Sequence, residues 1–282
     1  MSFDFRSFSK LTLEAATPPA VMIENCKTNM ARGLPEVRKC RAHDHELVIA
    51  GGGPSVRDTL LKPSGYIGAI NGSIKWLLEQ GIVPNACAVL DSGEHIADLI
   101  EPHPGVTFFV AANASPTVFD RLRDNHVVVW FPTAVPGLEG HLKVERPTDW
   151  FMIGGGCTMG LRWINLGYVC GFRTFHLHGL DSSFVDGKTH AYPDRADVKE
   201  HITVDGYNTR LNFLHQVSDF LVTMETFNKP DMDETEFFLY GDGLLQSTVD
   251  RYLRECPELF GPRARIRRMP PSCRQDASEI AA

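Results

Sequence analysis

The sequence predicts an α/β fold: a single Rossmann-like domain, with a mostly parallel sheet and helices on both faces. Three observations carry this reading. Apolar runs of four or five residues recur along the chain, each followed by a helical stretch. Runs that short and that uniformly apolar fit strands buried on both faces of a parallel sheet. Nearly every run stops at Gly, Asn, Asp or Thr, and two Gly-rich turns, GGGPS at 51–55 and GGGCT at 154–158, lead into helices.

The elements follow in order. Residues 1–45 read as a mostly helical preface, patterned from Pro19 to Met30 and broken at Gly33-Leu34-Pro35. The first strand is Glu46 to Ala50, and Ser55 is placed to cap a helix beginning near Val56. Strands follow at Tyr66 to Ile70, Ala86 to Leu90, Thr107 to Ala111, Val127 to Phe131, Thr174 to Leu177 and Phe237 to Tyr240. Helices are expected at Ser73 to Gln80, Glu94 to Ile100, Pro116 to Arg123, Met159 to Cys170 and Gly206 to Thr226. Residues 132–150 read as irregular. Residues 182–205, rich in His, Asp and Tyr, read as a lid-like loop. The α/β domain spans 46–261, and 262–282, with the basic run RARIRR, is expected to be a solvated, poorly ordered tail.

Composition excludes several classes. The 282 residues carry 28 Lys and Arg against 35 Asp and Glu, a net charge of −7. That balance disfavours charge-driven binding of nucleic acid. No apolar run approaches the roughly 20 residues of a membrane span, and the first residues lack a secretory pattern. The seven Cys form no C-x-x-C pair, as expected of free thiols in a reducing cytoplasm.

In parallel α/β sheets, ligands bind beyond the carboxyl ends of the strands. That rule selects Gly51 to Ser55, Asn71, Asp91, Asn113, Gly154 to Thr158 and His178 to Asp181, and of these Gly51, Gly52, Gly53, Ser55, Asn71, Asp91, Gly155, Gly156 and Thr158 are the candidate binding residues. Glycines let backbone amides approach an anion, and a helix N-terminus adds partial positive charge. Neither turn has the Gly-Lys-Ser/Thr ending of a P-loop, and Ile70 is followed by Asn71 where the dinucleotide fingerprint has an acid. Asp91 suits a ribose hydroxyl, a metal or a helix N-cap. Asn71 suits a base, a nucleoside sugar or a turn. The segment 176–201 supplies His190 and His201 as general-base candidates, with Asp181 beside them, while His176 reads as a hydrogen-bonded core residue. No zinc spacing is present, so no metal ligands are assigned. Trp76, Trp163 and Phe213 read as packing residues.

Together, the GGGPS turn, the INGSIKWLLEQGIVPNACAVLDS segment and the GGGCT turn leading on to HGLDSSFVDGKTHAYP resemble the MptE-like domain family, over about residues 46–195. The resemblance implies a nucleotide-dependent transferase. One branch of the family is an ATP- and Mg²⁺-dependent 6-hydroxymethylpterin diphosphokinase. Another is linked to surface-glycan and flagellin glycosylation, and is similar to bacterial sialyltransferases that use cytidine-monophosphate sugars. By that likeness Gly51, Gly53, Pro54, Ser55, Asn71, Gly156 and Thr158 match donor-site positions, and His201 matches the base by its order along the chain. Asn71 departs from the acidic strand ends of the diphosphokinases, and Gly52 stands where the sialyltransferases tend to carry Asn. The leading expectation is a glycosyltransferase moving a sugar from a nucleotide-activated donor to a small-molecule or glycan hydroxyl. A Mg-ATP diphosphokinase and a non-catalytic nucleotide-binding protein are the alternatives.

Overall fold

The structure is a computed structural model that describes residues 3–8, 17–60, 63–133, 135–145, 150–192 and 201–270. The strands are β1 (Glu46–Ala50), β2 (Tyr66–Ile70), β3 (Ala86–Val89), β4 (Thr107–Ala111), β5 (His126–Trp130), β6 (Thr174–His178), β7 (Ile202–Val204), β8 (Tyr207–Thr209), β9 (Thr235–Leu239) and β10 (Ala264–Arg268). Eight of them form one wholly parallel sheet in the order β10-β9-β6-β1-β2-β3-β4-β5, and β7 and β8 form a separate antiparallel hairpin. The α/β, Rossmann-like fold read from the sequence is the fold found.

Side-chain alternation along the strands builds two cores. Leu47 and Ile49 of β1 and Phe175 and Leu177 of β6 face one side. There they meet Leu161 and Trp163 of α8 (Met159–Val169), Val217 and Phe220 of α9 (Leu211–Phe227) and Val249 of α10 (Leu244–Glu255). Val48, Ala50, Phe108 and Val110 face the other side, against Met22 of α2 (Pro19–Met30), Ile74 and Leu77 of α4 (Ser73–Glu79) and Phe119 of α6 (Pro116–Arg121). Burial on both faces is why these strands are apolar throughout.

The preface does more than precede the domain. Asn29 of α2 donates to Ala112 O and Ala114 O, both at 2.8 Å. Residues 35–37 then run along the open edge of β5, with Val37 N donating to Val129 O and Val129 N to Pro35 O. That pairing covers an edge that would otherwise template aggregation. The short α1 (Phe5–Phe8) docks on α9, where the Ser218 hydroxyl donates to Phe5 O at 2.7 Å and Phe5 is fully buried.

Four local expectations change. Residues 264–268 are not tail but the edge strand β10, pairing with β9 from Ala264↔Thr235 to Arg268↔Leu239. Its arginines pair with acids across the ladder and below it: Arg267 with Glu236, and Arg268 with Asp250. Residues 202–209, divided in the sequence reading between a lid-like loop and the start of a helix, are the β7–β8 hairpin, so α9 begins only at Leu211. The irregular stretch contains α7 (Leu138–Glu145). Helix α10 was not anticipated. Residues 193–200 and 271–282, parts of the expected loop and tail, lie outside the described residues. Among the described residues no helix is long and apolar enough to cross a membrane.

Candidate functional site

The sheet order reverses between β1 and β6, and the ends of these strands open on a cavity of about 260 Å³. This is the crevice expected of a parallel α/β sheet. Gly51, Gly52, Gly53, Asn71, Asp91, Thr158, Asp181 and His190 all line it. The structure thus gathers these sequence candidates into one space. Ser55, Gly155, Gly156 and His201 are not among the lining residues.

The first Gly-rich turn is closed by its own hydrogen bonds. Gly51 N donates to His178 O, Gly53 N to Gly179 O and Ser55 N to the Asp181 carboxylate, each at 2.8 Å. Pro54 has no N–H. Among the described residues, only the Gly52 amide of this turn donates to no protein acceptor. The glycines are therefore required by close approach more than by anion binding. A Cβ on Gly53 would stand 2.7 Å from both Gly179 O and Asp181 Oδ2. The helix after the turn, α3 (Val56–Thr59), is a single turn. Ser55 does not cap it through its side chain, because the hydroxyl goes to Asp181 instead.

Asp181 is almost fully buried, and both its oxygens face Ser55. Burial pushes its carboxyl above the ordinary range. The Ser55 hydrogen bonds oppose that rise, and the neighbouring Asp242 and Asp58 add to it. Behind it, Thr59 Oγ1 donates to Ser55 O at 3.0 Å and lies 3.1 Å from His178 Nδ1. The hydroxyl's one proton is committed to Ser55 O, so His178 Nδ1 is the donor in that contact. Burial, and then His176, lowers the His178 pKa to about 3, which keeps it neutral. His176 bonds the Tyr240 hydroxyl at 3.0 Å and Glu46 at 3.1 Å. This chain of groups is scaffold under the site.

Over the first turn lies a short flap. Ala191 N donates to Gly52 O at 2.8 Å, and Arg57 holds Ala191 O through Nε at 2.8 Å and also through Nη2. The His190 ring therefore sits over Gly52: a Cβ there would be 2.6 Å from His190 Cδ2 and 2.7 Å from Tyr192 Oη. Buried Thr189 contacts His190 Nδ1 at 2.9 Å, and the Tyr192 ring lies 5.1 Å from the imidazole. His201 is exposed at the foot of the hairpin, its ring 6.3 Å from Phe184.

Asn71 has φ +45°, a left-handed conformation that Asn tolerates. Its Nδ2 donates to Asp91 Oδ2 at 2.8 Å, and its Oδ1 is buried with no hydrogen-bond partner. Crowding by the cleft raises the Asp91 carboxyl, while the Asn71 hydrogen bond and nearby His95 lower it. The unpartnered Asn71 Oδ1 beside the Asp91 carboxyl offers acceptors that suit a ligand with donors, such as a diol.

The second turn ends at Thr158, the N-cap of α8, whose side chain makes no capping bond and whose Oγ1 is buried without a partner. Gly155 and Gly156, at φ +113° and +79°, make the bend. The Cys157 amide donates to Asp219 at 2.8 Å. Crowding, and then Asp219, raises the Cys157 thiol, so this exposed Cys is not a ready nucleophile. Sequence reasoning missed the remaining wall: Ser182, Tyr192, Arg210, Asn212, Phe213 and Gln216. Phe213, read as packing, lies under the Arg210 guanidinium at 4.3 Å.

Fold and crevice together define a parallel α/β protein with a cavity at the switch point of the sheet. The family model described as "6-hydroxymethylpterin diphosphokinase MptE-like" matches residues 21–187, well over half the chain, and the protein belongs to that family. A solved structure, a MAf glycosyltransferase from Magnetospirillum magneticum AMB-1, matches with a TM-score of 0.60 and 16% identity. The match covers 90% of this chain and 45% of that one, so the chain spans a little under half the length of that protein. At this identity the likeness is one of fold. None of the curated proteins matches the chain.

Proposed function

We propose that the protein is a nucleotide-dependent transferase that moves a sugar from a nucleotide-activated donor to a hydroxyl acceptor. The observation that carries this reading is the placement of His190 over Gly52, in the cavity that Asn71, Asp91 and the start of α8 also line. Family membership and the fold shared with a glycosyltransferase support a transferase of this kind.

In this reading Asn71 Oδ1 and the Asp91 carboxylate accept hydrogen bonds from the nucleoside's hydroxyls or base. The uncapped first turn of α8, from Thr158 to Gly160, faces the phosphate, which a helix N-terminus stabilises. The Gly52 amide is the remaining donor of the first turn. His190, contacted by Thr189 at Nδ1, takes the acceptor's proton as the acceptor oxygen attacks the donor sugar and the nucleotide leaves with the electron pair of the broken C–O bond. Tyr192 and the flap shield the reacting centre from water.

A Mg²⁺-ATP reaction fits these residues less well. Mg²⁺ is held by one or two carboxylates together with phosphate oxygens. Asp181 is committed to Ser55 and leaves Asp91 alone, and no group of three or more candidate ligands occurs among the described residues.

The test is a thermal-shift screen against cytidine, uridine, guanosine and adenosine nucleotides, with and without Mg²⁺. Metal-independent stabilisation by one nucleotide class, cytidine monophosphate foremost, is expected. Stabilisation only by ATP with Mg²⁺ would replace this reading with the diphosphokinase.

A further inference from the structure

One wall of the cavity has polar groups that neither the fold nor the proposed chemistry uses. Gln216, on the second turn of α9, is only 6% exposed, lines the cavity, and its amide bonds no described protein group. Its amide atoms are open to the cavity rather than sealed from solvent, so they stand available to a ligand. Ser182 is 3% exposed, also lines the cavity, and its hydroxyl has no partner. Its backbone is held at φ +54°, a conformation that disfavours any residue but Gly, Asn or Asp. The hairpin fixes it there, with Thr209 Oγ1 donating to Ser182 O at 2.8 Å and Phe184 N to Asn208 O at 2.8 Å.

The wall also carries a guanidinium. Arg210 and Asn212 line the same space at the start of α9, a helix of 17 residues whose N-cap makes no side-chain capping bond. The start of α8 is adjacent, since Cys157 Sγ contacts Asn212 O at 3.8 Å. Asp219 takes the Cys157 amide but is not among the cavity-lining residues, and Asp181 is turned toward Ser55. Guanidinium, amide and hydroxyl donors beside a helix N-terminus match an oxyanion.

We infer that this wall, built by Ser182, Arg210 and Gln216, is a subsite for an anionic oxygen group of the substrate, a carboxylate or a phosphate beyond the one facing α8. This deepens the transferase reading and, for its place in a reaction, rests on it: the substrate pair carries a second anion.

Titrations with inorganic pyrophosphate and with malonate, followed by amide NMR, test the subsite without a known substrate. Ser182→Gly suits the positive φ, so it removes the hydroxyl without loss of fold, and Gln216→Leu removes the amide. At least one anion should saturate at a single site, with its Kd raised fivefold or more in both variants. Preference for malonate marks a carboxylate, and preference for pyrophosphate marks a phosphate. Absence of saturable binding by either anion, or wild-type Kd in both variants, overturns the inference. A parallel titration with uncharged nucleosides separates the two claims. Nucleoside binding with unaltered anion affinity in the variants removes the subsite alone. Variant-sensitive anion binding without any nucleoside or nucleotide binding removes the nucleotide reading alone.

Discussion

Ser55 gives both of its donors, the backbone amide and the hydroxyl, to the two oxygens of Asp181. Residues 126 apart in sequence are thereby joined where β1 and β6 end. Asp181, which the sequence suggested for catalysis, is a positioning residue in this arrangement. Asp181→Ala leaves two donors unpaired at about 1–3 kcal/mol each. At a few degrees per kcal/mol, a fall in Tm on the order of 5–15 °C is expected. Asp181→Asn tests the charge. Because burial raises the Asp181 carboxyl, the folded state holds its proton more firmly than the unfolded state does. As pH falls from neutral through that raised value toward the ordinary carboxylate range, the wild type should gain stability relative to Asp181→Asn. Denaturant melts across that interval measure it, and a constant difference between the two proteins would refute it.

The three glycines of the first turn should separate fold from function. A Cβ on Gly51 would stand 2.9 Å from the Gly179 carbonyl carbon, and backbone cannot yield there cheaply. A Cβ on Gly52 would meet only the side-chain ends of His190 and Tyr192. Gly51→Ala is therefore expected to lower Tm by several degrees or prevent folding. Gly52→Ala should fold with Tm close to wild type while displacing the flap and weakening turnover at least tenfold. Thermal melts and steady-state rates on both variants check this, and equal Tm losses would count against it.

His190 and His201 were both candidates in the sequence, with His201 the one favoured by the resemblance, and His190 alone of the two lines the cavity. With His190 in the general-base role, His190→Ala should lose about 10²–10⁴ in kcat with little change in KM. His201→Ala, at an exposed position outside the cavity lining, should stay within about twofold of wild type. The reverse pattern would reassign the base.

The parallel sheet was legible because its strands are buried on both faces, so ELVIA or ACAVL stands out without knowledge of any partner. Strand β10 was not. Its exposed Arg265 and Arg267 made it look like a charge run, although buried Ala264 and half-buried Ile266 show the alternation of an edge strand. The short, polar hairpin 202–209 has no apolar signal either, since its pairing is fixed by contacts such as Thr203 with Asn208. In the site, Asn71, Asp91 and Thr158 were visible as strand ends or the end of a Gly-rich turn. The packing role of the first turn was hidden because glycines announce close approach without saying what they approach. Here Gly51 and Gly53 approach Gly179 and Asp181. Ser182 and Gln216 could not be read from sequence at all, because what marks them arises only in the folded chain: a buried hydroxyl without a partner at Ser182, and a place in the cavity wall for Gln216.

The central claim is that the crevice at the ends of β1, β2, β3 and β6 holds a nucleotide-activated donor. Isothermal titration of the stabilising nucleotide into wild type, Asn71→Ala and Asp91→Ala tests it most directly. The account predicts one site per chain in the wild type and at least a tenfold weaker Kd in each variant, with Tm of the free proteins within a few degrees. Binding of equal strength in all three, or no nucleotide that binds the wild type, would contradict it.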